Sequence, residues 1–298
     1  MLVEDKTGCK KECYLCGGTE FNKRPGSVRD NLELEILECA SCGLVFLSSF
    51  DHIRNGFYEN SQMHDGEEMP DVQTWLRETA WDDERRFQYL KRVLPNRRLL
   101  DFGCGAGGFL LKARDMVATA HGVEPEIRLS SHYQSHGLTV FQNLSDISTD
   151  IRGGGYDIVT MFHVLEHIPD PKAILSKLSE MLTDDGQIIV EVPNADDALL
   201  TLYQCEPFSH FTYWSCHLFL FTTKTLKMLF TQVNLKVNYI KQIQRYPLPN
   251  HLYWLANGKP GGHQKWHFLD SIELRAAYEK QLAAIGKCDT ILASVSKT

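Results

Sequence analysis

The stretch of sequence that decides the fold spans ten residues and reads Leu99-Leu-Asp-Phe-Gly-Cys-Gly-Ala-Gly-Gly108. A short apolar run, Arg98–Phe102, ends inside it, and Phe109–Met116, with apolar residues at helical spacing, follows it. This order predicts a strand, a tight turn and a helix. Glycine allows such a turn and lets a ligand approach the backbone, and the first N–H groups of a helix are free. The turn is therefore predicted to bind a cofactor.

The turn belongs to a regular alternation of strands and helices. The predicted strands are Arg98–Phe102, Ala118–Val123, Leu138–Phe141, Asp157–Met161, Gln187–Val192 and Asn234–Ile243. The predicted helices are Asp71–Leu94, Phe109–Met116, Ile127–His136, Pro171–Leu182, Thr222–Val233 and Ser271–Ile285. The alternation predicts an α/β fold with a Rossmann-like, mostly parallel sheet and helices on both faces. The Pro- and Gly-rich segment 244–269 is predicted to be a shaped loop.

The composition limits the classes of function. The 298 residues are enough for one α/β core and a smaller module. A net charge of -7 gives no global field that attracts nucleic acid. The apolar stretches fall short of the roughly 20 residues of a membrane helix, and the first residues lack the apolar region of a secretory signal. We expect a cytoplasmic protein that acts on a small molecule, without a nucleic-acid or membrane partner.

Two carboxylates near the turn help to choose the cofactor. Gly103, Gly105 and Gly108 satisfy the dinucleotide pattern G-x-G-x-x-G, so the glycines alone fit NAD as well as S-adenosylmethionine. Glu124 ends the next predicted strand, where its carboxylate can accept hydrogen bonds from ribose hydroxyls. Asp101 precedes the glycines; its charge suits a ligand with an ammonium group and repels a pyrophosphate. This favours S-adenosylmethionine.

These motifs carry a resemblance to a known family. Together with Gly122-Val-Glu124-Pro and Tyr156-Asp-Ile-Val-Thr-Met-Phe-His-Val-Leu-Glu-His-Ile-Pro-Asp-Pro171, the turn resembles the class I S-adenosylmethionine-dependent methyltransferases over roughly residues 80–240. The resemblance implies that the turn faces the methionine part of the cofactor and that Glu124 holds its ribose. It also implies an antiparallel strand pair at one end of the sheet. The implied cofactor residues are Asp101, Phe102, Gly103, Cys104, Gly105, Gly107, Glu124, Asn143, Phe162 and His163.

The cysteines point to a metal site near the N-terminus. Of nine cysteines, Cys13-x2-Cys16 and Cys39-x2-Cys42 form two pairs separated by 22 residues. This spacing is typical of a zinc ribbon, in which four thiolates hold one structural zinc ion. Cys9 with Cys13 and Cys16 also spells a C-x3-C-x2-C pattern of iron–sulfur proteins, and unliganded thiols are a further alternative.

One histidine motif matches a metal-site pattern by sequence alone. His163-Val-Leu-Glu166-His167 spells the H-x-x-E-H pattern of zinc peptidases. Pro169 follows almost at once and excludes the long helix that such a site needs. We expect packing and cofactor contact here.

The candidate catalytic base lies in the segment after the fifth predicted strand. Methyl transfer to a hydroxyl or a carbon acid needs a general base, and His210 and His217 lie among aromatic residues there. The segment resembles the zinc-ribbon sugar methyltransferases of deoxysugar and polysaccharide pathways, which implies His217 as the base. Cys216 replaces the acid of the C-methylating members, so oxygen and carbon both stay open as the methylated atom. Substrate binding and burial are alternatives for His217.

The sequence therefore predicts an S-adenosylmethionine-dependent methyltransferase that acts on a small polar metabolite, a sugar or a sugar nucleotide. The alternatives are a NAD-linked oxidoreductase on a similar sheet and a non-catalytic zinc-ribbon adaptor with a relic methyltransferase fold. Arg245, His251, Lys259 and His263 are predicted to meet an anionic group or to be a solvated connector. The predicted division is 1–50 as the zinc-ribbon module, 51–95 as linker and helix, 96–243 as the cofactor-binding domain, and 244–298 as a substrate-side extension.

Overall fold

The computed structural model describes residues 12–61, 71–148 and 154–298, so Cys9 lies outside the described residues. The strands are β1 (Phe21–Lys23), β2 (Ile36–Cys39), β3 (Val45–Leu47), β4 (Arg98–Phe102), β5 (Thr119–Val123), β6 (Thr139–Phe141), β7 (Tyr156–Phe162), β8 (Leu182–Pro193), β9 (Phe219–Leu220), β10 (Leu235–Ile243) and β11 (Thr290–Lys297). The helices are α1 (Val72–Leu90), α2 (Gly108–Ala113), α3 (Ser130–Ser135), α4 (Pro171–Glu180), α5 (Ala198–Thr201), α6 (Glu206–Ser209), α7 (Thr223–Gln232), α8 (Leu248–Asn257), α9 (Gly262–Lys265) and α10 (Ile272–Ala284).

Seven strands form the central sheet in the order β10-β11-β8-β7-β4-β5-β6. The pairs β8–β7, β7–β4, β4–β5 and β5–β6 are parallel, and β11 is antiparallel to both of its neighbours. The predicted mixed α/β fold with a mostly parallel sheet is confirmed. Because parallel strands end at the same edge, the residues after β4, β5 and β7 come together there.

The antiparallel part of the sheet corrects the predicted division of the chain. The predicted division placed β10 in the cofactor-binding domain and assigned residues 244–298 to a substrate-side extension. In the structure, β11 lies between β8 and β10 and is buried from Thr290 to Val295. The cofactor-binding domain therefore includes residues 290–297. The short run Ile291-Leu-Ala-Ser-Val295 lacks the alternation of a half-buried strand because it is covered on both faces.

The Pro-rich segment after β10 also differs from the prediction, since it contains the helix α8 rather than a loop. Pro247 stands at the N-cap and Pro249 in the first turn, where a missing N–H costs nothing. Gly258, with φ of 61°, ends the helix in the left-handed conformation. The prolines and glycine thus mark the ends of a helix. His251 lies within it and is buried against the Tyr278 hydroxyl.

The N-terminal region forms a second, four-stranded sheet in the order β1-β2-β3-β9. Its last strand comes from the segment after β8, and Val45 and Phe46 pair with Leu220 and Phe219. One continuous apolar core extends from this small sheet to the face of the central sheet. The small module therefore depends on the larger domain for one of its strands. Across the described residues, no helix has the length and apolar character needed to cross a membrane.

The placement of β11 predicts that alanine substitutions at two isoleucines change the free energy of unfolding by very different amounts. Ile291→Ala removes a side chain that is 0% exposed, whereas Ile272→Ala removes one that is 83% exposed. Ile291→Ala is expected to lower the free energy of unfolding by about 2–5 kcal/mol because it leaves a cavity in the core. The Ile272→Ala control should change it by less than about 0.5 kcal/mol. Urea denaturation measures both, and equal effects would contradict the central position of β11.

Candidate active site

A cavity of about 540 Å³ opens at the carboxyl ends of β4, β5 and β7. Its volume lies within the range of small-molecule and cofactor sites. The lining comes from the glycine-rich turn, the segments after β5 and β7, helix α1 and Arg245. The polar side chains that line it are Tyr58, Thr79, Asp82, Asp83, Arg86, Cys104, Glu124, Glu126, His163, His167 and Arg245.

The glycine-rich turn has the backbone that the sequence predicted. Gly103 and Gly105 line the cavity. Their φ values of 75° and 50° are ones that a residue with a side chain adopts only under strain. A Cβ atom on Gly103 would lie 2.3 Å from Cγ2 of Val164, so the turn leaves no room for a side chain there. Gly107 caps α2 in the left-handed conformation and does not line the cavity.

Glu124 ties the end of β5 to this turn. Its carboxylate accepts hydrogen bonds from the Gly105 N–H at 2.9 Å and from the Glu126 N–H at 3.1 Å. Burial raises the pKa of Glu124 to about 7, although these two bonds favour the charged form. Glu124 lines the cavity, where its carboxylate is placed to accept hydrogen bonds from a pair of hydroxyls.

Asp101 lies beneath the turn rather than on the cavity wall. It is 3% exposed and accepts a hydrogen bond of 2.6 Å from the Thr160 hydroxyl. Burial raises the pKa of Asp101 to about 7. A carboxylate held at this position gives the turn a negative field, which favours a cationic group above it.

The other predicted cofactor residues divide into two groups. Phe102, Cys104, Phe162 and His163 line the cavity, as expected. Asn143 does not; it is exposed and caps the short turn after β6, where its N–H donates to the Asp146 carboxylate at 3.0 Å. His167 also lines the cavity, in line with the cofactor contact expected of the His163–His167 motif, whereas Trp75, Arg86 and Glu126 were not predicted as lining residues. Trp75 lies on the predicted helix Asp71–Leu94, and the sequence does not show what that helix packs against.

His163 stands out for its backbone and its neighbours. Its φ is 55°, an uncommon value for a residue other than glycine, and its N–H donates to the Glu191 carbonyl at 2.8 Å. The ring Nδ1 lies 3.3 Å from a Glu166 carboxylate oxygen, and Nε2 lies 3.2 Å from Nη1 of Arg245. Such a backbone outlier in a cavity is a mark of a functional site.

We call Tyr58, His163, His167 and Arg245 the histidine wall. The Tyr58 hydroxyl donates to the His167 carbonyl at 3.0 Å, and His163 contacts Arg245. All four residues line the same cavity as Glu124 and the glycine-rich turn. The wall therefore places imidazole groups in the cavity that holds the predicted cofactor residues.

A network of charges on α1 fixes one side of the cavity. Arg85 and Arg86 donate to one oxygen of Glu191 at 2.9 and 2.7 Å, and Arg245 pairs with Asp82. Burial opposes the charge of Asp82, but Arg245 beside it holds the pKa of that carboxyl at about 2. Arg245 was predicted to meet an anionic group or to belong to a solvated connector; the structure pairs it with Asp82 within the protein.

The two predicted catalytic histidines lie outside the cavity lining. His210 is exposed, and its Nδ1 lies 2.8 Å from the Ser27 hydroxyl of the small module. The ring of His217 packs against that of His167, with 4.8 Å between the centroids. Burial lowers the pKa of His217 to about 3. This placement does not support a catalytic His210, and it puts His167 rather than His217 on the wall.

The four paired cysteines converge as their spacing predicts. Cys13 and Cys42 have their sulfur atoms 3.6 Å apart, Cys16 and Cys39 have theirs 3.5 Å apart, and all four lie within 4.8 Å of one another. Tetrahedral zinc with bonds of about 2.3 Å places sulfur atoms roughly 3.8 Å apart. Gly17 and Gly43, which follow the second cysteine of each pair, have φ of 71° and 85°. The geometry fits a tetrahedral ion.

Comparison with known proteins identifies the family. The profile of the family described as "Methyltransferase domain" matches residues 74–240, more than half of the chain. The chain belongs to this family and is a class I S-adenosylmethionine-dependent methyltransferase. Membership of this family supports S-adenosylmethionine rather than NAD as the cofactor. The cavity, the turn without room for side chains and the carboxylate of Glu124 fit this cofactor.

Curated relatives match only part of the chain. The Ubiquinone biosynthesis O-methyltransferase of Pectobacterium atrosepticum is 29% identical over 135 residues, which cover 38% of this chain and 56% of the relative. The enzyme of the same name from Xanthomonas campestris pv. campestris is 32% identical over 118 residues, covering 37% and 48%. The chain thus spans about half the length of the curated relatives it matches.

A solved structure shares the fold. A SAM-dependent methyltransferase of Thermotoga maritima, described as a possible histamine N-methyltransferase, aligns with a TM-score of 0.50 at 18% identity. The alignment covers 76% of this chain and 94% of that one. At this identity the likeness supports the Rossmann-like fold.

The raised pKa values of Glu124 and Asp101 predict a pH-dependent affinity for S-adenosylhomocysteine. Both groups have a pKa of about 7, and the ionised form is the better partner for hydroxyl and ammonium groups. The affinity is expected to weaken as the pH falls from about 8 to about 6, by up to about tenfold per pH unit for each group. Calorimetric titration measures it.

Glu124→Gln and Asp101→Asn should each weaken binding and flatten this profile. Glu180→Gln, at an exposed carboxylate at the end of α4, should leave it unchanged. A wild-type affinity that does not vary over this pH range would contradict the assignment of both carboxylates.

Proposed function

We propose that the chain transfers a methyl group to a hydroxyl oxygen of a small polar acceptor, a sugar or a sugar nucleotide. The observation that carries the proposal is the histidine wall, which places His163 and His167 in one cavity with Glu124 and the glycine-rich turn. A hydroxyl is a weak nucleophile and needs a group that takes its proton. Imidazole is suited to this task near neutral pH.

His163 is the group that we assign as the base. Its side chain is 21% exposed at the cavity, and Glu166, 0% exposed, lies 3.3 Å from its Nδ1. A buried carboxylate this close to the ring stabilises the imidazolium that forms when His163 takes a proton. His217, the base suggested by the sequence, packs against His167 and does not line the cavity.

Each group of residues in the site has its own role in this reaction. S-adenosylmethionine, when bound, supplies a methyl group on a positively charged sulfur. Glu124 and the turn hold the cofactor, and Asp101 provides negative charge beneath it. The histidine wall holds the acceptor hydroxyl and receives its proton at His163. The cavity walls exclude water and bring the two reactants together, which is the main contribution to such a displacement.

The recognition of a polar acceptor rests on the charged side chains around the wall. Asp82, Glu126 and Arg86 line the cavity and offer donors and acceptors for several hydroxyls. Arg245 keeps its partner Asp82 ionised, so this pair can bind a hydroxyl through either member.

A phenolic hydroxyl is a second candidate acceptor. Val164, Ile168 and Ile174 give the cavity an apolar surface beside the histidine wall. The curated relatives are named Ubiquinone biosynthesis O-methyltransferases. These two observations favour an aromatic ring with a hydroxyl group as the alternative to a sugar.

The acceptor is identified by transfer of a labelled methyl group to a panel of sugars, sugar nucleotides and catechols. We expect a sugar or sugar nucleotide to be methylated, with the label on oxygen in the NMR spectrum of the product. Methylation of catechols alone would favour the second candidate. Label on carbon would contradict O-methylation. Binding of S-adenosylhomocysteine without transfer to any acceptor would favour the adaptor hypothesis.

His163→Asn tests the base, because asparagine tolerates the positive φ of this position. The turnover number is expected to fall by about 10²–10⁴-fold with the acceptor identified above. The affinity for S-adenosylhomocysteine should change much less. His210→Asn, at an exposed histidine outside the cavity lining, is the matched control. Unchanged turnover in His163→Asn would contradict the assignment.

We further propose that Cys13, Cys16, Cys39 and Cys42 bind one structural zinc ion. The convergence of the four sulfur atoms supports this. Cys39→Ser is expected to lose this zinc, measured by elemental analysis, and to lower the stability of the small module, since such sites contribute directly to folding. Cys205→Ser, at a buried cysteine that contacts the Trp254 carbonyl, is the control and should retain it. Iron in place of zinc would contradict the proposal.

A further inference from the structure

A second group of metal-binding donors lies beside the cavity, apart from the four cysteines. His167, Cys216 and His217 each offer one donor atom, and these atoms lie within 4.8 Å of one another. His167 belongs to the short turn Leu165–His167 after β7, whereas Cys216 and His217 precede β9. Two distant parts of the chain therefore bring these donors together.

The arrangement of the two rings suits shared coordination. The rings of His167 and His217 have centroids 4.8 Å apart and cross at 81°. Rings at this angle do not stack, so nitrogen atoms of both can point to one place. Cys216 is fully buried and forms no disulfide. A buried thiol between two imidazoles is a ligand set for a soft or borderline metal ion.

An independent observation is the charge of Glu166, the neighbour of His167. Its carboxylate is 0% exposed, and neither oxygen receives a hydrogen bond of good geometry. One oxygen lies 3.3 Å from Nδ1 of His163 and 3.9 Å from Nε2 of His167, and both rings carry a positive charge only when protonated. Burial of an anion is costly unless a positive charge lies close to it. One thiolate and two neutral imidazoles with a divalent ion carry one positive charge, which Glu166 balances.

We propose that His167, Cys216 and His217 bind a divalent transition-metal ion, with zinc as the preferred ion. Zinc takes histidine nitrogen and cysteine sulfur at about 2.0–2.3 Å, which places donors roughly 3.5 Å apart in a tetrahedron. The three donor atoms lie within 4.8 Å of one another, which is close to this spacing. This set has three ligands, in contrast to the closed set of four thiolates in the small module.

The position of the site gives the metal a role that rests on the proposed O-methylation. His167 lines the cavity, and a zinc ion with three protein ligands keeps one position open. An acceptor hydroxyl bound at that position would lose its proton more easily. The proton would pass to His163, the oxygen would form its bond to the methyl carbon, and the electron pair of the broken sulfur–carbon bond would stay on sulfur.

Metal content is the first test and needs no enzyme activity. Elemental analysis of the full chain is expected to find two metal ions per chain, one of which Cys39→Ser removes. Cys216→Ser and His217→Ala should each remove the other and retain the first. Cys288→Ser, at another buried cysteine, is the control and should retain both. A wild-type chain whose only metal is lost in Cys39→Ser would overturn the proposal, even if the Cys216 variants fail to fold.

Cobalt substitution identifies the ligands. Cobalt(II) bound by one thiolate and two imidazoles absorbs differently from cobalt(II) bound by four thiolates. Titration of the metal-free full chain with cobalt should therefore give two spectra, and Cys216→Ser should abolish the thiolate charge-transfer band of one of them. Identical cobalt spectra for Cys216→Ser and Cys288→Ser would overturn the assignment of Cys216.

Activity then separates this inference from the proposed function. With the acceptor found by labelled transfer, His217→Ala is expected to lower turnover by about 10²-fold or more while the affinity for S-adenosylhomocysteine is unchanged. Loss of the second metal without loss of turnover would confine the ion to a structural role and overturn its part in methyl transfer. Absence of any methylated acceptor would contradict the proposed function and leave the metal measurement valid.

Discussion

The structure depends on one buried carboxylate, that of Glu191 on strand β8 of the central sheet. It is fully buried, and Arg85 and Arg86 of α1 donate to one of its oxygens. Loss of one partner of such a pair costs about 3–5 kcal/mol because it leaves an unpaired buried charge. The pair therefore holds α1 against the carboxyl end of the sheet. Without it, the cavity would lose the wall that Trp75 and Asp82 provide.

The same constraint extends to the histidine wall. The carbonyl of Glu191 accepts the N–H of His163, so the strand that anchors α1 also fixes the unusual backbone of the proposed base. Arg245, two residues after β10, lies with Nη1 3.2 Å from Nε2 of His163 and is itself held by Asp82 of α1. Strand, helix and loop thus meet in a single polar network that lines this side of the cavity.

Structure that is set by consecutive residues could be predicted from the sequence, whereas contacts between residues far apart in the chain could not. The strand, the turn and Glu124 follow from consecutive residues, since glycine conformations and strand ends are set within a few positions. Arg85 and Arg86 were not predicted, because their partner lies more than a hundred residues away on β8. His217 was assigned as the base from the resemblance to the zinc-ribbon sugar methyltransferases, and its aromatic neighbours are equally typical of a buried histidine. The buried strand β11 was not predicted because a strand covered on both faces shows no alternation of polar and apolar residues.

The position of β11 has a consequence for the order of assembly. This strand is synthesised after every other strand of the central sheet, yet it lies between β8 and β10. Until it emerges from the ribosome, β8 exposes an unpaired edge and β10 has no neighbour to bind. The growing chain therefore cannot complete its sheet by adding strands in the order in which they are made, and its edge needs protection during synthesis. The pairing of β8 and β10 with the same neighbour therefore waits for residues 290–297.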